Sequence, residues 1–202
     1  MAYNKLSEFI YDCNACHTRC DGISKGNYQF DNDAAFSEGY EQIIIERINR
    51  SSLYQAAKCT LKGYPDIEVK TSDEKLYRYI EVKVQQRTFM SIEKHLPHSG
   101  LTPSETVALN LSDLLRYFEL EQSSGIPISI LWVLRNRACI VQNDKENYYY
   151  QICEKLKTIY KAEHFRRRFR RSSGEGDVVD GIHKGVTVNY HFSLKELLPW
   201  SF

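Results

Sequence analysis

GYPDIEVKTSDEKLYRYIEVKVQQ, residues 63–86, has the clearest structural pattern in the sequence. Two runs of β-favouring residues surround the polar turn SDEK, and this pattern predicts a β-hairpin. Side chains alternate between the two faces of a strand, so Glu81 and Lys83 point to the same side. Hairpin pairing can bring the start of the first strand beside the later part of the second. We therefore expect Asp66, Glu81 and Lys83 to converge at one edge of a sheet.

Hydrophobic periodicity and capping signals predict the remaining elements. With the hairpin included, the first half has a helix over 33–49 and strands over 51–62, 66–71 and 76–85. A helix that a capping box starts at Thr102 follows, and then strands over 126–134 and 138–141. The chain continues with a long helix over 144–171, a strand over 186–192 and a short helix with a capping box at Ser193. This order predicts an α/β fold with a mixed central sheet flanked by helices. We assign residues 33–202 to this domain and residues 1–32 to a cysteine-containing N-terminal segment.

Composition places few limits on function. Apolar residues make up 42% of the 202 residues and charged residues 26%, and the formal net charge is +1, as in ordinary globular proteins. No apolar run approaches the ~20 residues of a membrane-spanning helix. The N-terminus carries acids and lacks the apolar core of a secretory signal. We therefore expect an intracellular, cytoplasmic protein with no membrane partner.

The three converging side chains favour phosphoryl chemistry. Carboxylate oxygens suit Mg²⁺, which is usually held by one or two acids together with substrate phosphate. Such a metal polarises a phosphoryl oxygen and lowers the pKa of bound water. Lys83 would orient or deprotonate that water, or neutralise the charge that grows on the phosphoryl group. The alternative is a charged, solvated hairpin face, since a second EVK triplet occurs at residues 68–70.

Pro65-Asp66, followed after fourteen residues by Glu81-Val82-Lys83, resembles the motif of the PD-(D/E)XK nuclease superfamily, which includes restriction endonucleases and Holliday junction resolvases. The resemblance implies a restriction-endonuclease-like core that hydrolyses DNA phosphodiester bonds with Mg²⁺ or Mn²⁺. It also implies a metal-binding glutamate on the first helix, for which we favour Glu41 over Glu46. Gln85 resembles the polar residue that many members place near the scissile phosphate.

The subfamily stays open at this stage. RecB-type nucleases carry a glutamine four residues before a tyrosine on the helix after the lysine, whereas this chain has Asp113 before Tyr117. One small domain supplies one active site and cutting a duplex needs two, so we expect a homodimer, acting as a restriction enzyme or a junction resolvase. The alternatives are a RecB-like exonuclease with an iron–sulfur cluster and a non-catalytic nucleic-acid-binding protein with a zinc knuckle.

Three of the six cysteines, Cys13, Cys16 and Cys20, are crowded near the N-terminus around His17. Their spacing is typical of metal ligands, and Cys59 is the nearest further thiol. A zinc ion would take four ligands from this set, whereas an iron–sulfur cluster would take four thiolates. Ordinary thiols or a local disulfide are the third interpretation.

A basic block, HFRRRFRR at residues 164–171, stands out in a nearly neutral chain. Phe165 and Phe169 could pack inward while the arginines spread around them. Because the planar guanidinium matches phosphate oxygens, we predict that this block contacts DNA. Its arginines are Arg166, Arg167, Arg168, Arg170 and Arg171. The alternative is a solvated helix end, where cations favour the negative pole of the helix dipole.

Overall fold

The structure of the chain, a computed structural model, describes residues 30–85, 88–89, 91–135, 146–170, 178–179, 182–183 and 187–200. Side chains are described over the same ranges except at 30–37, 178–179 and 182–183. The elements are α1 (Phe30–Asn49), β1 (Tyr54–Lys58), β2 (Ile67–Thr71), β3 (Leu76–Gln85), α2 (Ile92–His95), β4 (Thr106–Asn110), α3 (Leu111–Ser124), β5 (Ile128–Leu134), β6 (Asn147–Ile152), α4 (Cys153–Glu163), β7 (Arg168–Arg170), β8 (Val178–Val179), β9 (Ile182–His183), β10 (Val188–Ser193) and β11 (Leu198–Pro199), with 3₁₀ helices at His164–Arg167 and Leu194–Glu196.

Six strands form a mixed sheet in the order β1-β2-β3-β5-β6-β11. β3 and β5 are parallel, and the other neighbouring pairs are antiparallel. A parallel pair needs a crossover, which the chain supplies through α2, β4 and α3. α1 packs on one face of the sheet, and α3 and α4 pack on the other. The predicted α/β fold with a mixed central sheet flanked by helices is confirmed, and α2 and β4 are additional elements between β3 and α3.

α1 is held to the sheet by an apolar stripe. Tyr40 and Ile44 are buried against a layer that includes Ile80 and Leu131. Burying a side chain of this size contributes ~1.5–3 kcal/mol relative to leaving it exposed. The helix predicted over 33–49 is confirmed and begins slightly earlier, although Ile43, which was expected in the stripe, is 37% exposed.

The outer edge of β1 is covered by the last residue of α1. The Asn49 side chain donates a hydrogen bond to the carbonyl of Ala56 (2.9 Å) and accepts one from the N–H of the same residue (2.6 Å). The amide thus takes the place of a neighbouring strand, which limits edge-to-edge pairing with other chains. The strand predicted over 51–62 is confirmed as the shorter β1.

The other face of the central sheet carries the larger core. α3 and α4 pack there together with a second, three-stranded sheet in the order β4-β10-β7. β5 is buried at every position, as its continuous apolar run predicts. Trp132 of β5 is fully buried, and its indole N–H donates to the carbonyl of Ala108 in β4 (3.2 Å). This hydrogen bond joins the two sheets.

The start at Thr102 predicted for the next helix is wrong, whereas the later part of that helix is confirmed as α3. Residues 106–110 form β4, which pairs with β10, and α3 begins only at Leu111. β-branched Thr106 and Val107 favour a strand, and the antiparallel partner outweighs the local capping signal. The N–H of Glu105 donates to the carbonyl of Thr102 (3.3 Å), so the expected cap is a turn instead.

The long helix predicted over 144–171 is also wrong over much of its length. Residues 147–152 form β6, and α4 ends at Glu163, before a 3₁₀ helix and β7. Consecutive tyrosines favour a strand, and antiparallel pairing with β5 buries Tyr148 and Tyr149. The predicted N-cap Asp144 and the strand predicted over 138–141 lie outside the described residues.

The C-terminal elements agree with the sequence patterns. The strand predicted over 186–192 is β10, and the capping box at Ser193 is confirmed on a 3₁₀ helix. The Glu196 carboxylate accepts from the N–H of Ser193 (2.9 Å), and the Ser193 hydroxyl accepts from the N–H of Lys195 (3.2 Å). Across the described ranges, no helix combines the length and apolar character needed to span a membrane.

Candidate active site

The register of the β2–β3 hairpin places Asp66 beside Glu81. Ile67 pairs with Ile80 in an antiparallel register, so the preceding residue, Asp66, lies opposite Glu81. The Asp66 Oδ2 atom accepts a hydrogen bond from the N–H of Val82 (2.7 Å). This hydrogen bond holds the Asp66 carboxyl group against β3, next to the backbone of Glu81.

Glu81 and Lys83 form a close ion pair on one face of β3. Lys83 Nζ lies 2.5 Å from Glu81 Oε1, and the Glu81 side chain is 4% exposed. The two side chains share a face because they are two residues apart on a strand. The structure thus brings Asp66, Glu81 and Lys83 together, as expected, although β3 lies between β2 and β5 and the site is therefore not at an edge of the sheet. Their catalytic role stays a prediction.

Glu41 of α1 lies close to Asp66, and Lys58 of β1 accompanies it. Lys58 Nζ lies 3.3 Å from Glu41 Oε2 and 3.7 Å from Glu38 Oε1. Glu41 is 8% exposed, and its Oε2 atom is buried without a hydrogen bond of suitable geometry. Glu46 is exposed and accepts a hydrogen bond from Gln42 on the helix surface (2.9 Å). Glu41 is therefore the glutamate of α1 that accompanies Asp66 and Glu81, and we call these three acids the carboxylate cluster.

The charges of this region shift the pKa values of its members. Burial raises the pKa of Asp66, and the neighbouring Glu41 raises it further against the opposing effect of Lys83. Burial also raises the pKa of Glu81, again against the effect of Lys83. Burial by itself would lower the pKa of Lys83, but Glu81, Asp66 and Asp113 outweigh it, so the pKa of Lys83 is raised. Perturbed acids gathered beside a charged lysine are typical of functional sites.

Three residues of α3 complete the surroundings of Glu81 and Lys83, and none of them was predicted to belong to the site. The hydroxyl of the buried Tyr117 lies close enough to Glu81 for the two side chains to interact electrostatically. Arg116 Nη2 donates to that hydroxyl (3.2 Å) and lies 3.0 Å from Asp113, which acts electrostatically on Lys83. The three- and four-residue spacing of these side chains, which places them on neighbouring positions of one helix, is the signal that could have identified them.

Gln85 links the two sheets. Its side-chain amide donates to the carbonyl of Ala108 in β4 (2.7 Å) and accepts from the N–H of the same residue (3.3 Å). The expected contact with the scissile phosphate is therefore corrected, because both ends of the amide satisfy the backbone of β4. The error follows from the wrong helix prediction, which removed the strand that Gln85 contacts.

The second EVK triplet stays apart from the carboxylate cluster. Glu68 and Lys70 pair with each other on β2 (3.1 Å), and both side chains are partly exposed. Within the described part of the chain, neither makes an ion pair with the cluster or with Lys83. The triplet at residues 68–70 therefore matches the charged, solvated hairpin face. That face was the alternative to a catalytic role for the triplet at residues 81–83.

The structure bears on only one of the four cysteines considered as metal ligands. Cys13, Cys16 and Cys20 lie outside the described residues. Cys59 is a free, half-buried thiol, and its backbone N–H donates to the carbonyl of Asp66 (2.8 Å). A zinc ion or an iron–sulfur cluster on these cysteines stays a prediction.

The arginine block is divided between the interior and the surface. Arg167 is 6% exposed, and its guanidinium pairs with Glu196 (2.6 Å) and Glu163 (3.6 Å). Its expected contact with phosphate is corrected, because its charge is compensated inside the protein. Phe165, which was expected to pack inward, is 72% exposed, since α4 ends before it.

The other arginines have different surroundings. Arg166 is exposed and lies 3.5 Å from Glu163, and Arg170 is exposed at the end of β7. Arg168 is half-buried over the ring of Tyr160. Arg171 lies outside the described residues. Contact of these four arginines with DNA stays a prediction.

The carboxylate cluster suits a hard divalent cation in its chemistry. Its donors are all oxygens, which Mg²⁺ and Mn²⁺ accept, and the Oε2 atom of Glu41, which has Lys58 as an ion-pair partner but no hydrogen bond of suitable geometry, is one of them. In the arrangement described, the ammonium groups of Lys83 and Lys58 compensate Glu81 and Glu41. Among the residues that the structure describes, no three acidic, histidine or cysteine side chains are arranged to hold a metal ion. The chemistry of the donors fits the cation, the described arrangement does not gather three of them around one ion, and metal binding stays a prediction.

Comparison with known proteins gives only distant structural likeness. No protein-family model matches the sequence, and no curated protein matches it significantly. Among solved structures, the fold is similar to that of Hjc, a Holliday junction resolvase from the archaeal hyperthermophile Archaeoglobus fulgidus. The two are 8% identical over 80% of this chain and 86% of that chain, with a TM-score of 0.42. A likeness at this level bears on neither activity nor substrate.

Proposed function

We propose that the protein is a metal-dependent nuclease that hydrolyses the phosphodiester bonds of DNA. The observation that carries the proposal is the convergence of Asp66, Glu81 and Lys83 on neighbouring strands, with Glu41 close to Asp66. A purely structural role explains this arrangement poorly, because gathering buried carboxylates costs stability. The PD-(D/E)XK motif and the α/β core in which it lies support the same conclusion.

Each side chain of the site has a proposed role. Asp66, Glu81 and Glu41 would hold Mg²⁺ or Mn²⁺. The ion would supply Lewis-acid activation of the phosphoryl oxygen and of the attacking water. The raised pKa of Lys83 keeps this residue protonated, which favours stabilisation of developing negative charge over removal of a proton. Tyr117, which lies beside Glu81, would act as a positioning residue for it.

The expected assembly is a homodimer that acts on duplex or branched DNA. One chain has one carboxylate cluster, and cutting both strands of a duplex takes two. A RecB-like exonuclease is the second candidate, because Asp113 and Tyr117 have the spacing of the RecB-type glutamine and tyrosine and surround Lys83 and Glu81. Its iron–sulfur cluster would depend on the N-terminal cysteines.

A cleavage assay tests the proposal. Purified protein is incubated with closed circular plasmid, linear duplex, single-stranded and four-way-junction DNA in Mg²⁺, Mn²⁺ or EDTA. We expect cleavage only with a metal; nicking of closed circles identifies an endonuclease, and loss of linear DNA alone identifies the exonuclease. Light scattering reports the mass of the assembly. Protein that binds DNA but cuts none of these substrates would overturn the proposal and favour a non-catalytic binding module.

A further inference from the structure

A cleft lined by aromatic side chains lies on the α1 face of the central sheet, beyond the end of that helix. Its volume is about 240 Å³, and its walls include Ile48 at the end of α1 and four aromatic residues from separate segments. These are Tyr54, Tyr77, Tyr150 and Trp200. We call this feature the aromatic cleft. It is distinct from the carboxylate cluster, since Arg78 at its floor and Lys83 are separated by roughly 16 Å along β3.

A β-bulge in β3 shapes the aromatic cleft. Val69 of β2 pairs with Arg78, but the next residue, Lys70, pairs with Leu76, so Tyr77 is an extra residue in β3. A bulge can re-aim a side chain that would otherwise point to the opposite face. Here it directs Tyr77 to the same face as Arg78, where the Tyr77 ring stacks on Tyr54 with centroids 5.1 Å apart.

Arg78 holds a fixed positive charge at the floor of the aromatic cleft. Its guanidinium donates to the hydroxyls of Ser129 (3.2 Å) and Tyr77 (3.2 Å), and it lies 4.7 Å from the centre of the Tyr77 ring. Its Nε atom is buried without a hydrogen-bond partner. Among the ion pairs of the described residues, none involves Arg78. The hydroxyls orient the guanidinium but leave its charge uncompensated.

We propose that the aromatic cleft binds one unpaired nucleotide of DNA, with the base against the aromatic walls and a phosphate on Arg78. Aromatic side chains next to a cation form the stacking platforms that hold single-stranded nucleic acid, and every base has a face that can stack. The guanidinium fork matches two phosphate oxygens. The choice of DNA among aromatic anions rests on the proposed nuclease function. The cleft would hold an unpaired strand that flanks or branches from the cut duplex.

Binding of pentathymidylate in EDTA, where no metal-dependent cleavage occurs, tests this proposal. The chain has two tryptophans, and Trp132 is fully buried, so a change in fluorescence on titration reports on Trp200 in the aromatic cleft. We expect the oligonucleotide to quench the emission and Trp200→Phe to abolish the change. Arg78→Gln should weaken binding roughly tenfold and lower the slope of log affinity against log salt by about 0.7.

Two further variants keep the test decisive. Tyr77→Leu removes the stacking ring at a position that is 39% exposed, so it serves if Arg78→Gln does not fold. Lys75→Gln removes a cation from the turn of the same hairpin, where Lys75 pairs with Asp73 (2.7 Å), and should bind like the wild type. Absence of quenching, unchanged binding by the folded Arg78 and Tyr77 variants, or equally tight binding of an abasic oligonucleotide would each overturn the proposal.

The outcome is independent of the catalytic test. A wild-type protein that cuts DNA but shows no quenching would overturn the aromatic-cleft proposal and leave the nuclease proposal intact. If the oligonucleotide quenches the emission in a way that depends on Arg78, but the protein never cuts DNA, the nuclease proposal is overturned and the aromatic-cleft proposal stands. The two sites therefore stand or fall on separate measurements.

Discussion

Two lysines balance the acids of the carboxylate cluster, and they differ in exposure. The Lys83 side chain is 30% exposed and pairs with Glu81, whereas the Lys58 side chain is 60% exposed and pairs with Glu41. The carboxylate of Glu41 raises the pKa of Lys58, so this lysine is charged near neutral pH. An exposed cation at the rim of an acidic cluster is available to a substrate phosphate.

We predict that Lys58→Ala slows DNA cleavage roughly tenfold, because a hydrogen bond between charged groups contributes about 1.5 kcal/mol. Lys58→Arg keeps the charge and should restore most of the rate. The rate is measured in single-turnover reactions with Mg²⁺. Lys75→Ala is the matched control, since Lys75 is a more exposed lysine that pairs with Asp73. A Lys58→Ala protein that cuts as fast as the wild type would exclude Lys58 from contact with the substrate.

At the scale of elements, Arg167 joins three segments of the C-terminal half. It lies in the 3₁₀ helix after α4, and its side chain pairs with Glu196 in the last 3₁₀ helix (2.6 Å). Its carbonyl oxygen is 3.3 Å from Nδ1 of His191 in β10. Removing one partner of a buried ion pair leaves an uncompensated charge, which is strongly destabilising.

Arg167→Ala should therefore lower the free energy of unfolding by ~3 kcal/mol. Arg166→Ala, a neighbouring change at an exposed position, should alter it by less than ~0.5 kcal/mol. Urea titrations followed by circular dichroism give both values. Two variants of equal stability would show that the Arg167 pair does not hold these segments together.

His191 makes the stability of the second sheet depend on pH. It is 1% exposed, its ring contacts Phe89 and Phe169, and burial lowers its pKa from 6.5 to about 4. The folded state thus favours the neutral ring. Its contribution to stability is fully present above pH 6.5 and is lost as the pH falls towards 4. The difference between the two pKa values corresponds to ~3 kcal/mol.

We predict that His191→Gln makes the loss of stability between pH 6.5 and pH 4 less steep, because glutamine does not titrate. The free energy of unfolding is measured by urea titration at several pH values in this range. His98→Gln changes an exposed histidine and should leave the slope as in the wild type. A His191→Gln protein with the wild-type slope would assign the acid sensitivity to other groups.

At the scale of the whole molecule, the central sheet could be predicted where its strands carry local signals. The β2–β3 hairpin has alternation and a polar turn, and β5 has a continuous apolar run. The wrong predictions fell on β4 and β6, whose strand conformation depends on pairing with β10 and β5. A capping signal acts on neighbouring residues only, so it cannot reveal a partner that is distant in sequence.

The same limit applies to the candidate site. Asp66, Glu81 and Lys83 could be placed together because hairpin register determines which side chains meet. The approach of Lys58 depends on how β1 packs, which no local pattern gives. Gln85 was predicted to contact the substrate for a related reason. Its side chain is hydrogen-bonded to backbone groups of β4, a strand that had not been predicted.

The central claim is that Asp66 and Glu81 act in cleavage, whereas Glu68 of the same hairpin does not. The most direct measurement is the metal-dependent cleavage rate of Asp66→Asn, Glu81→Gln and Glu68→Gln, with thermal unfolding of each variant. We predict that the first two lose at least ~10²–10³-fold in rate and remain folded, and that Glu68→Gln cuts like the wild type. Folded Asp66→Asn and Glu81→Gln proteins that cut at nearly the wild-type rate, or an equal loss in Glu68→Gln, would contradict the claim.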